Sequence, residues 1–396
     1  MRVLFLSTWF PFPLSQGSKI RAYHLIKSVA HENETALISF ADTEVELSWL
    51  EHMRQNCNPI SLVERNPFAP TWLGTLSGWL SFQPSFILST YSPQMAELVH
   101  RFASQWKPDH IVAFTFVMGR YALEGERVFR VIDVDNYMSR MMFDAYQDAK
   151  GTSARIRRYI AWRKFLNYEK QLYNQFNHCL VVTERDRELL GSKLGMSHER
   201  ISVIPNGIDP SYHYPTDELP EENSLIFNGS LMYQANYDAM EHFLRDIFPL
   251  ICNENPLVRL TITGRYHGEA VKKLATDDRV KFTGYLDDIR PVVHQSWACV
   301  VPLRVGGGTR LKILEAMALG TPVVSSSKGA EGLGVIPGEH ILIADNPREF
   351  AHHTLQLLSD PQLRRSLSDN AQRFVQCNYQ WNTIGNRFCD VLEQLR

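Results

Sequence analysis

Short hydrophobic runs recur along the chain, and each is followed by a turn and a longer stretch that favours a helix. The runs are 2-RVLFLS, 36-ALISF, 110-HIVAF, 128-VFRVID and 179-CLVVT in the first half and 224-SLIFNG, 259-RLTITG, 280-VKFTG, 298-ACVVPL, 322-PVVSSS and 341-ILIA in the second. They are nearly continuous in apolar residues, as expected of parallel strands covered on both faces. The alternation of strand and helix predicts doubly wound α/β sheets.

A polar segment divides the chain near its middle. The stretch 205-PNGIDPSYHYPTDELPEEN-223 is rich in Pro, Asn, Asp and Glu and lacks apolar periodicity, so we interpret it as a linker. We expect two Rossmann-like domains that face each other across a cleft. Their predicted bounds are 1–206 and 223–378, with a linker at 207–222 and a last helix at 379–396. Ligands of such sheets bind at the carboxyl ends of strands, which makes the cleft the expected site.

Composition narrows the class of protein further. The net charge of −2 gives no indication of nucleic-acid binding, and six scattered cysteines without a C-x-x-C pair favour a reduced cytoplasmic protein. The sequence contains no run of 18 apolar residues, so it does not predict a helix that spans a membrane. The N-terminal run MRVLFLSTWF is too short for the apolar region of a signal peptide.

Three glycines stand directly before a helix-forming run. Gly306, Gly307 and Gly308 follow the strand run at 298, and we predict that the helix begins near Thr309, which would cap it. Glycines permit positive φ and close ligand approach, and free amides at a helix start attract anions. The pattern indicates a phosphate or diphosphate site, with a tight strand-to-helix turn as the purely structural alternative.

Charged side chains on that helix add to the prediction. Arg310 and Lys312 could donate charge-assisted hydrogen bonds to phosphate. Glu315 has the sign of the phosphate and is better suited to accept two hydroxyls, as from a ribose. A solvated helix carboxylate is the alternative for Glu315.

The run 301-VPLRVGGGTRLKILEAMALGTPVV resembles the donor-site signature of the retaining GT-B glycosyltransferases, the family of glycogen synthase and many bacterial polysaccharide sugar transferases. Further pieces stand in the family's order at 203-VIPNGID, 226-IFNGSLMYQANYDAM, 261-TITGR, 282-FTGYLDD and Trp381, with looser matches at 1-MRVLFLS and 131-VIDVDN. The resemblance implies a GT-B fold whose C-terminal helix crosses back to the N-terminal domain. It implies a retaining hexosyltransferase that moves a sugar from a nucleotide-diphosphate donor to a hydroxyl of a glycan or lipid-linked acceptor, in bacterial cell-surface or extracellular polysaccharide synthesis.

The resemblance also assigns residues of the second half. Glu315 matches the second of two family glutamates, whereas the first falls on Gly307, which leaves the donor sugar open. The family's diphosphate-binding cations are absent after the first C-terminal strand, so Arg265 and Lys312 are assigned as their substitutes. The full set implied for donor binding is Gly17, Gly229, Tyr285, Leu286, Gly306, Gly307, Gly308, Thr309 and Glu315, with Tyr285 and Leu286 at the nucleobase.

In the first half, Gly17 would let a loop approach the donor phosphate or the acceptor. Asp135 is assigned to the transferred sugar, with a helix-capping role as the alternative. The pair Asp133 and Asp135 forms a D-x-D motif, which binds metal in fold-A glycosyltransferases, but the GT-B resemblance implies no metal and no cofactor beyond the nucleotide sugar.

Cations and apolar residues alternate along the predicted helix 150–173. Such a segment suits an anionic membrane surface or a lipid diphosphate acceptor, and a partly solvated helix is the alternative. We therefore expect a cytoplasmic protein at the inner face of the plasma membrane. Two other functions stay open, a GT-B nucleotide-sugar epimerase and a non-catalytic nucleotide-sugar-binding protein.

Overall fold

The computed structural model describes residues 1–41, 44–70, 81, 83–124, 128–135, 137–147, 149, 151–209, 220–274, 277–306 and 310–395. The chain forms two compact units. The first comprises Met1–Pro205 together with Ile384–Arg396, and the second comprises Asn206–Thr383.

Within the described residues, the first unit contains a parallel sheet of seven strands. They are β1 (Arg2–Ser7), β2 (Glu34–Ala41), β3 (Ile60–Glu64), β4 (His110–Phe114), β5 (Phe129–Val134), β6 (His178–Val181) and β7 (Ile201–Val203). The strand order is β3-β2-β1-β4-β5-β6-β7. The direction of winding reverses between β1 and β4, which is the arrangement of a doubly wound sheet.

Helices connect these strands. They are α1 (Gly17–Ala30), α2 (Leu47–Arg54), α3 (Ser85–Ser89), α4 (Pro93–Trp106), α5 (Thr115–Ala122), α6 (Met138–Gln147), α7 (Thr152–Tyr173) and α8 (Glu184–Leu194), with a 3-10 turn at His198–Arg200. Local sequence fixes several starts. Ser92 accepts a hydrogen bond from the Met95 amide ahead of Pro93, and Thr183 accepts one from the Asp186 amide, so both are side-chain N-caps.

The second unit repeats the design with six parallel strands in the part of the chain that the structure describes. They are β8 (Glu221–Asn228), β9 (Arg259–Thr263), β10 (Val280–Gly284), β11 (Ser296–Val301), β12 (Val323–Ser325) and β13 (Leu342–Ile343), in the order β10-β9-β8-β11-β12-β13. Its helices are α9 (Gln234–His242), α10 (Phe248–Glu254), α11 (Gly268–Leu274), α12 (Arg290–His294), α13 (Leu311–Ala318), α14 (Pro347–Ser359) and α15 (Pro361–Asn378), with a π-helical turn at Phe243–Ile247. Winding reverses between β8 and β11.

The last helix belongs to both units. Helix α16 (Trp381–Gln394) begins in the second unit, where Trp381 is buried, and its residues from Ile384 onward belong to the first unit. Ile384, Phe388 and Leu392 are fully buried. A side chain at Gly385 would overlap Ser28 of α1, so the two helices lie in close contact.

The predicted fold class, α/β with two doubly wound parallel sheets, is confirmed. All eleven hydrophobic runs are strands, and β3 and β7 are additions that the sequence pattern did not predict. Strand β8 begins at Glu221, inside the predicted linker, and residues 210–219 lie outside the described part of the chain. No described helix has both the length and the apolar character needed to cross a membrane.

Candidate functional site

A polar cluster lies where the winding of the second sheet reverses. Asn228 is the last residue of β8, and Lys312 and Glu315 lie on α13, which follows β11. The Asn228 side-chain amide donates a 3.0 Å hydrogen bond to Glu315 Oε2. Because ligands of doubly wound sheets bind at this reversal point, the cluster occupies the expected binding position.

A neutral amide oxygen, rather than a carboxylate, accepts the hydrogen bond from Lys312. Its Nζ donates to Asn236 Oδ1 at 2.8 Å and lies 3.9 Å from the centroid of the Phe227 ring. Burial lowers the pKa of Lys312 to about 7, and the nearby Arg310 cation acts in the same direction. The ammonium group is therefore positioned by neutral partners, and an anion entering the site would stabilise its charged form.

Glu315 is positioned from the other side of the cluster. Burial raises its pKa above the ordinary value, although Lys312 and the Asn228 hydrogen bond oppose the shift. Asn228 is itself oriented, because its Oδ1 accepts a 3.6 Å hydrogen bond from the Cys299 thiol. A carboxylate fixed by a neutral amide keeps lone pairs that can accept hydroxyl donors.

Glycine at position 229 leaves space for the side chains of this cluster. A Cβ on Gly229 would lie 2.5 Å from Lys312 Nζ and 2.9 Å from Asn236 Nδ2. Gly264 has a φ of +107°, and a Cβ there would lie 2.6 Å from the Ser230 backbone nitrogen. The Gly229 position therefore has space for the lysine only because it lacks a side chain.

The triple-glycine segment is only partly described. Gly306 has a φ of +110°, which favours glycine, whereas Gly307, Gly308 and Thr309 lie outside the described residues. The prediction that the helix begins near Thr309 is corrected. Helix α13 begins at Leu311 after Arg310, whose φ of −84° and ψ of 74° are not helical and whose side chain provides no cap. Arg310 is buried.

Arg265, the other cation predicted to bind the diphosphate, lies beside Tyr285, which is predicted to contact the nucleobase. The Arg265 guanidinium lies 5.0 Å from the centroid of the Tyr285 ring, and both side chains are exposed. The strands that precede them are joined where they end, since the Gly264 amide donates to the Gly284 carbonyl at 2.8 Å. Leu286 is half-buried beside Tyr285 in the chain. The backbone of Arg265 also adjoins the segment that follows Gly229, because its carbonyl accepts hydrogen bonds from Ser230 Oγ at 3.0 Å and from the Met232 amide at 3.3 Å.

In the first unit, Asp135 and the start of α1 come together. Ser18 Oγ donates a 2.6 Å hydrogen bond to Asp135 Oδ2, and Asp135 is buried. The expectation of Gly17 in a loop is corrected, because Gly17 is the first residue of α1.

Asp133 has a different role from Asp135. Arg21 binds its carboxylate through two hydrogen bonds, at 2.8 Å from Nε and 2.7 Å from Nη2, and both side chains are 1% exposed. Arg21 Nη1 also donates to the Pro205 carbonyl at 3.1 Å, where the chain leaves the first unit. The two oxygens of Asp133 are thus engaged by a cation, so the D-x-D motif does not present two open carboxylates to a metal.

Two residues of these clusters were not predicted. Asn228 had a signal in the sequence, since a polar residue ends the hydrophobic run 224-SLIFNG at the carboxyl edge where ligands bind. Arg21 had none, because its partner Asp133 lies 112 residues away.

Comparison with known proteins finds a matching family model in each half of the chain. A family model described as "Glycosyl transferases group 1" matches residues 222–360, and one described as "Glycosyltransferase Family 4" matches residues 77–212.

Relatives of this chain also match at the sequence level. The chain is 21% identical to an uncharacterized 44.6 kDa protein in the cps region of Klebsiella pneumoniae, over 96% of each chain. It is 26% identical to the lipopolysaccharide core biosynthesis mannosyltransferase LpcC of Rhizobium leguminosarum, over 58% of this chain and 66% of that protein.

Solved structures share the fold over essentially the full chain. Sucrose-phosphate synthase from Thermosynechococcus elongatus matches with a TM-score of 0.75 at 18% identity, covering 100% of this chain and 99% of that one. Anabaena HepE in complex with UDP and glucose matches with a TM-score of 0.70 at 16% identity, covering 100% of both chains.

Proposed function

Because the chain is a group 1 glycosyltransferase with the GT-B fold, we propose that it transfers a hexose, with retention, from a nucleoside diphosphate sugar to a hydroxyl acceptor. The observation that carries this proposal is the Lys312 ammonium group, which is held by Asn236 next to Gly229 and close to Glu315. This arrangement combines a cation, a bare backbone and a hydroxyl acceptor at the reversal point of the second sheet.

Lys312 would stabilise the leaving diphosphate. In sugar transfer, negative charge grows on that group as the bond to the sugar breaks, and a fixed cation gains the most interaction energy at that point. We assign the amides near Gly306 to the same anion, and Arg265 with Tyr285 and Leu286 to the nucleotide. The phosphate oxygen accepts the proton of the acceptor hydroxyl during front-face attack, so no protein nucleophile is required.

Glu315 would bind the ribose hydroxyls. Hydrogen bonds from two hydroxyls favour the ionised carboxylate and oppose the burial that raises its pKa. In the first unit we assign Asp135, oriented by Ser18, to a hydroxyl of the transferred sugar, and we propose that Gly17 keeps the start of α1 open to substrate.

The relatives suggest which donors and acceptors to test. The name of LpcC includes lipopolysaccharide core biosynthesis and mannose transfer, and HepE was solved with UDP and glucose. We propose a role in bacterial cell-surface or extracellular polysaccharide synthesis, with a glycan or lipid-linked acceptor and with α7 facing the inner surface of the plasma membrane. We also propose that transfer needs no metal, since Arg21 engages Asp133. Full activity in EDTA is expected.

The experiment is a thermal-shift screen of nucleotide sugars, including UDP-glucose and GDP-mannose, followed by assays for nucleotide release with glycan acceptors. Lys312→Ala should lower kcat roughly 10²–10³-fold, the usual cost of one lost donor to a developing anion. Glu315→Ala should weaken donor binding. Lys281→Ala, which removes an exposed lysine of β10, is the matched control and should be neutral.

Near-normal rates in both site variants would refute this donor site. An epimerised nucleotide sugar, formed without any acceptor, would indicate the epimerase instead, although the names of the matched families and of LpcC do not favour it.

A further inference from the structure

Helix α7 leaves apolar side chains exposed on its surface. Ile156 is 57% exposed, Ile160 is 49% exposed and Tyr159 is 44% exposed. Ile156 and Ile160 are four residues apart and therefore lie on one face of the helix. Helix α7 contacts the core of the first unit through Phe165 and Leu172. Packing on this core therefore does not explain why Ile156 and Ile160 are apolar.

These isoleucines line a groove in the first unit. The groove has a volume of about 590 Å³, and its other apolar walls are formed by Pro84, Phe86, Met142 and Ala161. Arg157 and Lys164 also line it. An apolar groove with cations among its walls is complementary to a hydrocarbon chain that carries an anionic head group.

The charge of α7 points to the same kind of ligand. Its cations are Arg155, Arg157, Arg158, Arg163, Lys164 and Lys170. The one carboxylate in Thr152–Tyr173, Glu169, is buried, so the exposed charge of the helix is entirely positive. An anionic phosphate would therefore be attracted to this face.

Helix α6 connects the groove to Asp135. The helix begins at Met138, three residues after Asp135, and Met142 one turn later is a groove wall. Glu169 of α7 accepts hydrogen bonds from the Met138 and Ser139 amides, both at 3.2 Å. The groove and the proposed sugar contact are thus on consecutive elements that Glu169 holds together.

We propose that this groove binds the hydrocarbon chain of a lipid-linked acceptor, and that its phosphate is bound by Arg157 and by the remaining N–H donors of Lys164, whose Nζ also donates to the Ser81 carbonyl at 2.8 Å. The inference rests on the proposed function for the acceptor class and adds to it a chain-binding site. The occupant is a single phosphate-bearing lipid, because a volume of about 590 Å³ is of the size that holds one small ligand and the cations lie beside apolar walls.

The test is calorimetric binding of dodecyl phosphate to the full chain, with inorganic phosphate and the uncharged detergent dodecyl maltoside as comparison probes. Dodecyl phosphate should bind more tightly than either comparison probe. The double variant Ile156→Ser/Ile160→Ser should bind it about tenfold more weakly or worse, because two apolar contacts are lost. Arg157→Gln/Lys164→Gln should weaken dodecyl phosphate and leave dodecyl maltoside unchanged.

A matched control removes an exposed apolar side chain elsewhere. Leu257 is 73% exposed in the second unit, and Leu257→Ser should bind dodecyl phosphate as the unaltered protein does. Equal binding by the isoleucine double variant would overturn the proposal and indicate adsorption by charge alone. Absence of binding by the unaltered protein would also overturn it, as when another segment or a protein partner covers the groove.

The same variants separate this inference from the donor site. Their thermal shift with nucleotide sugars should be unchanged, because none of the substituted residues is assigned to the donor and the residues assigned to its diphosphate and ribose lie in the second unit. A protein that binds dodecyl phosphate as described but gives no response to any nucleotide sugar would contradict the proposed donor site and leave the groove standing.

Discussion

At the scale of single residues, a substitution of Gly229 tests whether donor binding depends on the position of Lys312. In Gly229→Ala, the new Cβ would lie 2.5 Å from Lys312 Nζ, so the flexible lysine must move away. Because the clash is with the end of a flexible side chain, we expect a nearly unchanged melting temperature and at least about tenfold weaker donor binding, the loss of one charge-assisted bond. Isothermal calorimetry with the best nucleotide sugar measures this.

The control for Gly229→Ala is another glycine of the same unit. A Cβ on Gly268 meets no atom within 4 Å, so Gly268→Ala should leave donor affinity unchanged. If both alanine variants bound donor equally well, Lys312 would not need its present position.

The pKa of Lys312 predicts a pH dependence for donor binding. In the free protein burial lowers this pKa to about 7, and only the protonated amine is a cation. Donor affinity should therefore be greatest below pH 7 and fall above it, by up to about tenfold per pH unit. Titrations between pH 6 and 9 measure this. Lys312→Arg should bind donor with little pH dependence, since arginine stays charged, and a flat profile for the unaltered protein would contradict the role of Lys312.

The residues of the second-unit cluster were predictable to different degrees. Lys312 and Glu315 stand beside a glycine-rich turn, which signals an anion site in the sequence itself. Asn236, the partner of Lys312, lies 76 residues away in the chain, and Asn228, the partner of Glu315, lies 87 residues away. Only the fold brings these pairs together. Buried ion pairs such as Arg21 with Asp133 carry no local signal at all.

At the scale of elements, strands were predicted where both faces are covered. The run at Ile111 is fully buried, so its sequence is continuously apolar. In β3, at the sheet edge, only Val63 is fully buried, and β7 has just three residues. Such edge strands lack the apolar continuity that identifies a central strand.

The contact between α6 and α7 depends on a buried carboxylate and predicts a pH effect on stability. Burial raises the pKa of Glu169 to about 7 from an ordinary 4.5. The protonated form is therefore favoured in the folded state, and the free energy of unfolding should fall as pH rises from about 4.5 to about 7, by roughly 3 kcal/mol at most.

Glu169→Gln isolates this effect, because the amide keeps an acceptor oxygen and does not titrate. The difference in unfolding free energy between the two proteins, measured by urea at pH 5 and pH 8, should shift in favour of the glutamine variant at the higher pH. If the difference were the same at pH 5 and pH 8, the pKa of Glu169 would not be raised in the folded protein.

At the scale of the whole molecule, α16 is the element that makes the first unit discontinuous in sequence. Phe388 is fully buried, so Phe388→Ala should lower the stability of the first unit by about 3–5 kcal/mol, while donor binding persists at temperatures where that unit is folded. Scanning calorimetry with and without nucleotide sugar measures both effects. Asn386→Ala, at an exposed position of the same helix, should have little effect, and equal stability of the two variants would contradict the packing of α16 on the first unit.

The placement of residues 384–396 has a consequence for biosynthesis. The second unit is one uninterrupted segment, whereas the first unit includes residues that are translated after the whole of the second, so its core cannot be completed until Ile384–Arg396 have been made. Until then the nascent protein exposes the apolar surface that Ile384, Phe388 and Leu392 later cover. The N-terminal half is thus made first but can be completed only after the second unit has been translated.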